Sequence, residues 1–271
     1  MKYQLLNTHY EKSVIERLLE IRNLTETKDH FFSPTCSNSW NDSHLLNGME
    51  TAVNTIISTM KKRGKIIIFG DYDVDGITAS WTLWEFFQKF LNYSNVEIKY
   101  PNRQKDGYGL RNYHLDEMKQ AGAELIITVD NGITSIQEAE YAKQLGLKLI
   151  ITDHHHPLET LPEAIAIINP LCSPEYPFKY LAGVGVAFKL VTALLNHSTL
   201  PKEKKNQIFT YFLPIVAIGT VADIMPLIDE NRRIVKQGLH LINDEKEKIP
   251  TSLKGFLEFL NLKEPITTYH I

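Results

Sequence analysis

The succession of apolar runs and amphipathic stretches predicts an α/β fold: a mostly parallel β-sheet flanked by helices on both faces, with an N-terminal helical preface and a helical C-terminal part. Short, continuous apolar runs recur at Lys65–Phe69 (KIIIF), Glu124–Val129 (ELIITV) and Leu147–Thr152 (LKLIIT), as expected of strands covered on both faces. Helical stretches of about 10–15 residues separate them, the spacing of βαβ units. Each of the three runs is followed directly by acidic or imidazole side chains.

In chain order, residues 1–60 read as the preface: an amphipathic stretch Glu11–Arg22, a polar loop around Phe31–Asn41 and a second helix over Ser43–Arg63. The strand at Lys65–Phe69 leads to a helix over Thr78–Phe90, a strand at Val96–Tyr100 and a helix at Tyr113–Ala121. The strand at Glu124–Val129 is followed by a helix at Ser135–Leu145, the strand at Leu147–Thr152 and a further strand at Ala164–Ile168. The remainder reads as helices at Gly183–Asn196, Lys204–Phe212, Leu213–Ala222, Glu230–Asn243 and Ser252–Leu260.

With 271 residues, 43% of them hydrophobic and 23% charged, the chain has the material for a substantial core and not the composition of a disordered one. Its net charge of −3 and short basic stretches, Lys61–Arg63 and Lys202–Lys205, do not advertise a broad basic face for gripping duplex DNA. Two widely separated cysteines, Cys36 and Cys172, fit free thiols in a reducing cytoplasm. Met1–Glu11 lacks the apolar core of a signal peptide. No apolar run approaches the ~18–20 residues of a membrane span; the longest, Phe212–Ile228, is interrupted by Asp223 and two prolines. A cytoplasmic protein without membrane attachment is expected.

In an open parallel sheet, ligands bind beyond the carboxyl ends of the strands. There the sequence places Gly70-Asp71-Tyr72-Asp73-Val74-Asp75-Gly76 after the first strand, Asp130-Asn131-Gly132 after ELIITV, and Asp153-His154-His155-His156 after LKLIIT. Taken singly, each has an ordinary explanation: Asp and Gly form turns and helix caps, and histidines occur on surfaces. An EF-hand is excluded for the first loop, because Thr82 stands at the twelfth position where calcium needs Glu. Together the three loops crowd carboxylates on one rim. Two unit charges ~4 Å apart repel by roughly 4 kcal/mol at an effective dielectric near 20, so a divalent cation among them is the natural counterpart. Mixed Asp/His ligation suits Mn²⁺, and an acid shared by two ions matches two-metal phosphoester hydrolysis.

These segments, with Gly219-Thr220-Val221-Ala222-Asp223-Ile224-Met225-Pro226-Leu227, resemble the DHH superfamily of phosphoesterases. Within it the chain is most similar to the single-strand-DNA-specific exonucleases, through GDYDVDG (70–76), PNRQKDGYGL (101–110), ITVDNGI (127–133), TDHH (152–155), YPFKYLAGVGVAFKL (176–190), GTVADIMPL (219–227) and ENRR (230–233). HFFSP (30–34) and LLNGM (45–49) extend the likeness into the preface. The resemblance implies that Asp73, Asp130, His154 and Asp223 hold one Mn²⁺ (or Mg²⁺), and that Asp71 holds a second ion with Asp130 bridging. His155 would lie beside the scissile phosphate as a catalytic or transition-state-stabilising group, with Asp75 and Asp153 orienting ligands. Arg103, and secondarily Arg232, would contact the terminal 5′-phosphate of single-stranded DNA. Asp106 stands where that branch usually carries Glu, a small change expected to keep the loop.

The resemblance also implies an organisation: 1–60 as an extension on the core, 61–245 as the DHH catalytic domain, and 246–271 as the start of a helical linker toward a second domain. The chain is thus expected to be truncated, with a half-built substrate groove. The function implied is 5′→3′ exonucleolytic hydrolysis of single-stranded DNA in repair and recombination, alongside a single-strand-binding protein or a helicase. Other readings are an oligoribonuclease, nucleotide phosphatase or pyrophosphatase of the same superfamily, a silent scaffold, or an incompetent fragment that only binds metal.

Overall fold

The structure, a computed structural model, describes residues 11–26, 28–32, 40–262 and 265–271. Chain packing separates a unit ending at Trp40 from one running from Asn41 to Ile271. In the first, α1 (Val14–Ile21) starts at a capping box: the Ser13 hydroxyl accepts from the Glu16 amide and the Glu16 carboxylate from the Ser13 amide, satisfying two helix-end donors. A five-residue helix, α2 (Lys28–Phe32), follows. Most of the polar loop at 31–41, with Cys36, lies outside the described residues.

The second unit holds the sheet. Its strands, β1 (Lys65–Gly70), β2 (Val96–Lys99), β3 (Ala123–Val129), β4 (Lys148–Thr152) and β5 (Ala166–Ile168), lie in the order β2-β1-β3-β4-β5, every pair parallel. Register aligns Ile67 with Ile126 and Ile126 with Leu149, and likewise Phe69 with Thr128 and Thr128 with Ile151. Those side chains meet α5 (Asn112–Gln120) and α6 (Ile136–Gln144) in one core with Leu115, Met118, Ala139 and Ala142. The alternate residues, Ile66, Ile68, Leu125, Ile127 and Ile150, are equally buried and point to the opposite face. That face is covered by α3 (Met49–Lys61), α4 (Val74–Glu85) and α7 (Gly183–His197). Burial on both sides explains why these strands read as unbroken apolar runs.

Outside α4 and α7 lie α8 (Lys202–Ala222) and α9 (Asp229–Asp244), packed on each other, and α10 (Thr251–Leu260) closes the chain's helical part. No helix among the described residues is long and apolar enough to cross a membrane, and Cys172 is free.

Three elements depart from the sequence reading. The helix expected over 43–63 is a short 3₁₀ turn (Ser43–Leu45) and then α3, parted by Gly48 at φ +76°. A Cβ there would lie 2.7 Å from the Ile167 carbonyl oxygen, so the chain turns left-handed against β5 and only glycine fits. Helix α4 begins at Val74, four residues early, because the Asp73 carboxylate caps it by accepting from the Gly76 amide at 2.8 Å. The helices expected on either side of residue 213 are one, α8, with Pro214 inside. Pro214 removes one helical hydrogen bond, but Phe212–Ala217 is buried against α4, α7 and α9, and packing carries the helix through.

A buried charge pair fixes α9 to α7. Lys189 of α7 reaches Glu230 Oε1 at 2.6 Å and donates to the Asn41 carbonyl at 2.8 Å, while the Tyr176 hydroxyl and the Asn41 amide donate to Glu230. Breaking a buried pair leaves an uncompensated charge. Lys189→Met is expected to cost about 3–5 kcal/mol of stability, measured by urea denaturation; a loss below about 1 kcal/mol, the worth of an exposed pair, would show the network to be incidental.

Candidate metal centre

In this strand order, chain direction across the sheet reverses between β1 and β3, which makes the crevice beyond their carboxyl ends the topological switch point. Asp71 and Asp73 follow β1, Asp130 follows β3 and Asp153–His155 follow β4, all on that rim. Asp223, at the carboxyl end of α8, is brought to the same place. Asp130 sits at φ +60°, an uncommon conformation for a residue with a side chain, and its amide donates to the Thr152 carbonyl at 3.0 Å. Next to it, the buried Asn131 amide group donates to the Phe69 and Val129 carbonyls at 3.2 and 2.8 Å, stitching the ends of β1 and β3 together.

His154 Nε2 lies 3.1 Å from Asp130 Oδ1, 3.6 Å from Asp223 Oδ2 and 3.8 Å from Asp75 Oδ2. Among the described residues, three sets bring ligand atoms within 4.8 Å of one another: Asp71, Asp73 and Asp130; Asp75, His154 and Asp223; and Asp130, His154 and His155. Asp130 belongs to two of them. Asp71 Oδ1, Asp130 Oδ1, His154 Nε2 and Asp223 Oδ2 are buried and make no hydrogen bond. Buried polar atoms are nearly always hydrogen-bonded, so four converging exceptions, three carboxylate oxygens and one imidazole nitrogen, fit a divalent ion in chemistry as well as in placement.

The crowding is visible in the acid–base properties of the rim. Burial, then the neighbouring carboxylates of Asp73 and Asp153, pushes Asp130 up to about 9. Burial raises Asp71 and Asp223 as well, and Asp75 well above the ordinary carboxylate range. These shifts express the cost of ionising acids together in a dry site, a cost that a cation in their midst reverses.

Asp153 behaves differently. Burial opposes its ionisation, but the His155 ring and the amides of Ile133 and His155 outweigh it, and its pKa is lowered. One oxygen accepts from Ile133 N at 2.9 Å; the other accepts from His154 N, His155 N and His155 Nδ1 at 2.8, 3.1 and 2.8 Å. Asp153 thus sets the course of the His-His turn, and its hydrogen bond raises His155 to about 9. The His155 ring is 43% exposed, and His156 is exposed and joins none of the three sets.

Asp75 is also engaged: its two oxygens accept from Gly183 N at 2.6 Å and Val184 N at 2.8 Å, the first amides of α7. Arg103, exposed in the loop after β2, has its guanidinium 5.3 Å from the centre of the Tyr72 ring, at the edge of the acidic loop. Arg232 stands half-buried in the first turn of α9, where burial lowers its pKa.

Several participants escape a reading based on charged residues. Tyr108 donates from its hydroxyl to the Asp130 carbonyl at 3.1 Å and lies 3.2 Å from His155 Nδ1. The start of α7 contributes backbone amides, and Gly183 is required there by close approach: a Cβ would stand 2.6 Å from the Asp130 side chain. The sequence signals were the tyrosine between two glycines, Gly107-Tyr108-Gly109, and the paired glycines of Ala182-Gly183-Val184-Gly185.

A model described as the DHH family, N-terminal domain, matches residues 65–220, more than half of the chain and the whole sheet, and the chain belongs to that family. A second model, the Toprim domain, matches residues 12–101; it takes in β1 and β2 but not the strands carrying Asp130 and His154. Among curated proteins the chain is similar to the single-stranded-DNA-specific exonuclease RecJ of Bacillus subtilis, 45% identical over 201 residues covering 73% of this chain and 24% of the relative. To RecJ of Escherichia coli it is 42% identical over 222 residues, covering 80% of this chain and 38% of the relative. It therefore spans about a quarter to two-fifths of the length of these relatives. Among solved structures it resembles an exonuclease RecJ bound to manganese, with a TM-score of 0.63 and 32% identity over 72% of this chain and 48% of that one. A RecJ from Thermus thermophilus in complex with Mn²⁺ follows at a TM-score of 0.61 and 30% identity, covering 73% and 27%.

The close approach at Gly183 gives a direct test. Gly183→Ala is expected to push the start of α7 off Asp130 and weaken Mn²⁺ binding by at least roughly tenfold, as losing a residue that supports the ligands does, measured by isothermal titration calorimetry. Gly255→Ala, in exposed α10 with nothing near its Cβ, should leave binding unchanged and raise stability by about 0.5–1 kcal/mol. Equal Mn²⁺ affinity in Gly183→Ala and wild type would contradict the close-approach argument.

Proposed function

We propose that this chain is the catalytic part of a divalent-metal-dependent 5′→3′ exonuclease that hydrolyses phosphodiester bonds of single-stranded DNA in repair and recombination. The observation that carries the reading is the convergence of unpartnered Asp71, Asp130, His154 and Asp223 atoms at the switch point of a DHH-family sheet. Similarity to relatives named for single-stranded-DNA-specific exonuclease activity supplies the substrate class, and the manganese-bound structures supply the metal. In this reading residues 61–245 form the catalytic domain and the relatives' further length provides the rest of the substrate groove. A cytoplasmic setting belongs to it, with a single-strand-binding protein or a helicase delivering the strand.

Asp73, Asp130, His154 and Asp223 would hold one Mn²⁺ or Mg²⁺, and Asp71 a second, sharing Asp130. Bound there, the ions supply a water nucleophile at neutral pH and offset charge on the phosphate. The chain's own groups do the remaining work. Asp153 fixes His155 with its exposed edge toward the phosphate. Asp75 ties the acidic loop to α7, holding His154 and Asp223 in reach of each other. Arg103 offers a planar fork for a terminal 5′-phosphate, with Arg232 as a second, more distant contributor.

A small-substrate phosphatase of the same superfamily is the second reading. Manganese-dependent digestion of 5′-labelled single-stranded DNA, run beside duplex DNA and pyrophosphate, separates the two: mononucleotides from single strands alone support the exonuclease, and pyrophosphate cleavage alone overturns it. Asp130→Ala removes the shared acid and should lower activity more than about 100-fold, beyond the effect of losing a ligand's supporting group; near-wild-type turnover would refute the ligand assignment. Arg103→Ala should weaken action on 5′-phosphorylated ends by roughly 10–100-fold, the worth of charge-assisted hydrogen bonds, and spare 5′-hydroxyl ends. Equal loss on both ends would remove Arg103 from that role.

A further inference from the structure

The loop between β2 and α5, residues 101–111, carries both Arg103 and Tyr108 to the edge of the metal centre. It has no regular secondary structure of its own, and Gly107 and Gly109 both adopt positive φ with open space around them. Such a segment needs an anchor to present side chains at fixed positions.

The anchor is outside the metal centre. One oxygen of Asp106 accepts from the Asn102 amide at 2.6 Å and lies 3.2 Å from His114 Nε2, and the Tyr113 hydroxyl donates to the same carboxylate. The Asp106 amide returns a hydrogen bond to the Asn102 carbonyl at 2.8 Å, closing the turn that contains Arg103. On its other side, His114 Nδ1 accepts from the Arg111 amide at 3.1 Å. An imidazole that accepts at Nδ1 carries its proton on Nε2, so the same ring donates to Asp106. His114 is buried and packs on Phe69 of β1, ring centres 4.9 Å apart; Phe69 is two residues before Asp71. One histidine, seated on the strand that delivers the acidic loop, therefore holds the segment at Asp106, between Arg103 and Tyr108, and at its far end, Arg111.

We infer that Asp106, gripped by His114, is a positioning residue that sets Arg103 and Tyr108 over the metal centre and thereby governs affinity for the end of the nucleic-acid strand. The inference rests on the exonuclease reading and concerns binding of the strand, not of the ion. Glutamate keeps the carboxylate on a longer stem and alanine removes it, so the two substitutions separate presence of the group from its exact reach.

The test uses the full chain. Mn²⁺ affinity is measured by calorimetry, and affinity for 3′-labelled oligothymidylate with and without a 5′-phosphate by fluorescence anisotropy. Asp106→Ala is expected to weaken binding of the 5′-phosphorylated strand by at least about tenfold, the range for a hydrogen bond to a charged group. Mn²⁺ affinity should stay at the wild-type level, and Asp106→Glu should restore strand binding. Unchanged strand affinity in Asp106→Ala overturns the positioning role. So does a parallel loss of Mn²⁺ affinity, which would make Asp106 a general structural support. Wild-type chain that binds Mn²⁺ but no oligonucleotide overturns the positioning role, because the loop then sets no strand affinity, while the exonuclease reading is decided separately by the digestion of single strands.

Discussion

Gly183 and Val184 donate their amides to the two oxygens of Asp75, and through that contact α4 and α7, both packed on the sheet, share one reference point. The carboxylate belongs to the first turn of α4, the amides to the first turn of α7, and Asp75 also lies within reach of His154. Two helix starts therefore meet at a single buried acid, where their aligned backbone dipoles favour negative charge. Gly183 lets α7 come close enough for Asp130 to touch it, and Gly219 does the same for α8, whose added Cβ would strike Thr78 and approach Asp75. The position of Asp223 at the end of α8 depends on that approach.

The rim illustrates how a fold tolerates what elementary electrostatics opposes. Burial and mutual repulsion raise Asp71, Asp75, Asp130 and Asp223, whereas Asp153, although fully buried, is lowered because the His155 ring and the amides of Ile133 and His155 outweigh burial. The difference divides the acids by use. Asp71, Asp130 and Asp223, each with an unpartnered oxygen, are disposed to take a cation; Asp75 is tied to the start of α7, and Asp153, with saturated oxygens, shapes the turn that carries the histidines.

Much of this was legible in the sequence, because buried parallel strands are continuous apolar runs and the residues after them face the ligand crevice. The five strands, the acidic loops and the Asp-His-His turn are legible that way, whereas Asp223, at the end of a helix, is reached only through the family resemblance. What periodicity could not register were effects of tertiary contact. Pro214 reads as a break, yet burial on three neighbouring helices carries α8 through it. The alternating acids at 71–75 read as loop, yet Asp73 is a cap and Asp75 already helical. Tyr108 and His114 carry no charge pattern, and their roles come from a loop whose path no local signal describes. Asp106, noted only as a departure from the family's usual Glu, turned out to hold that loop.

The sheet's two outermost strands are also its shortest, β2 with four residues and β5 with three, and the Gly48 backbone lies against β5. Exposed strand edges are templates on which another chain can extend a sheet. Here the long, strongly apolar strands occupy the middle, and the margins offer little backbone for a newcomer to bind. A sequence so rich in isoleucine-laden β segments would otherwise be a hazard in a crowded cell, and the strand order itself keeps those segments out of circulation once the chain has folded.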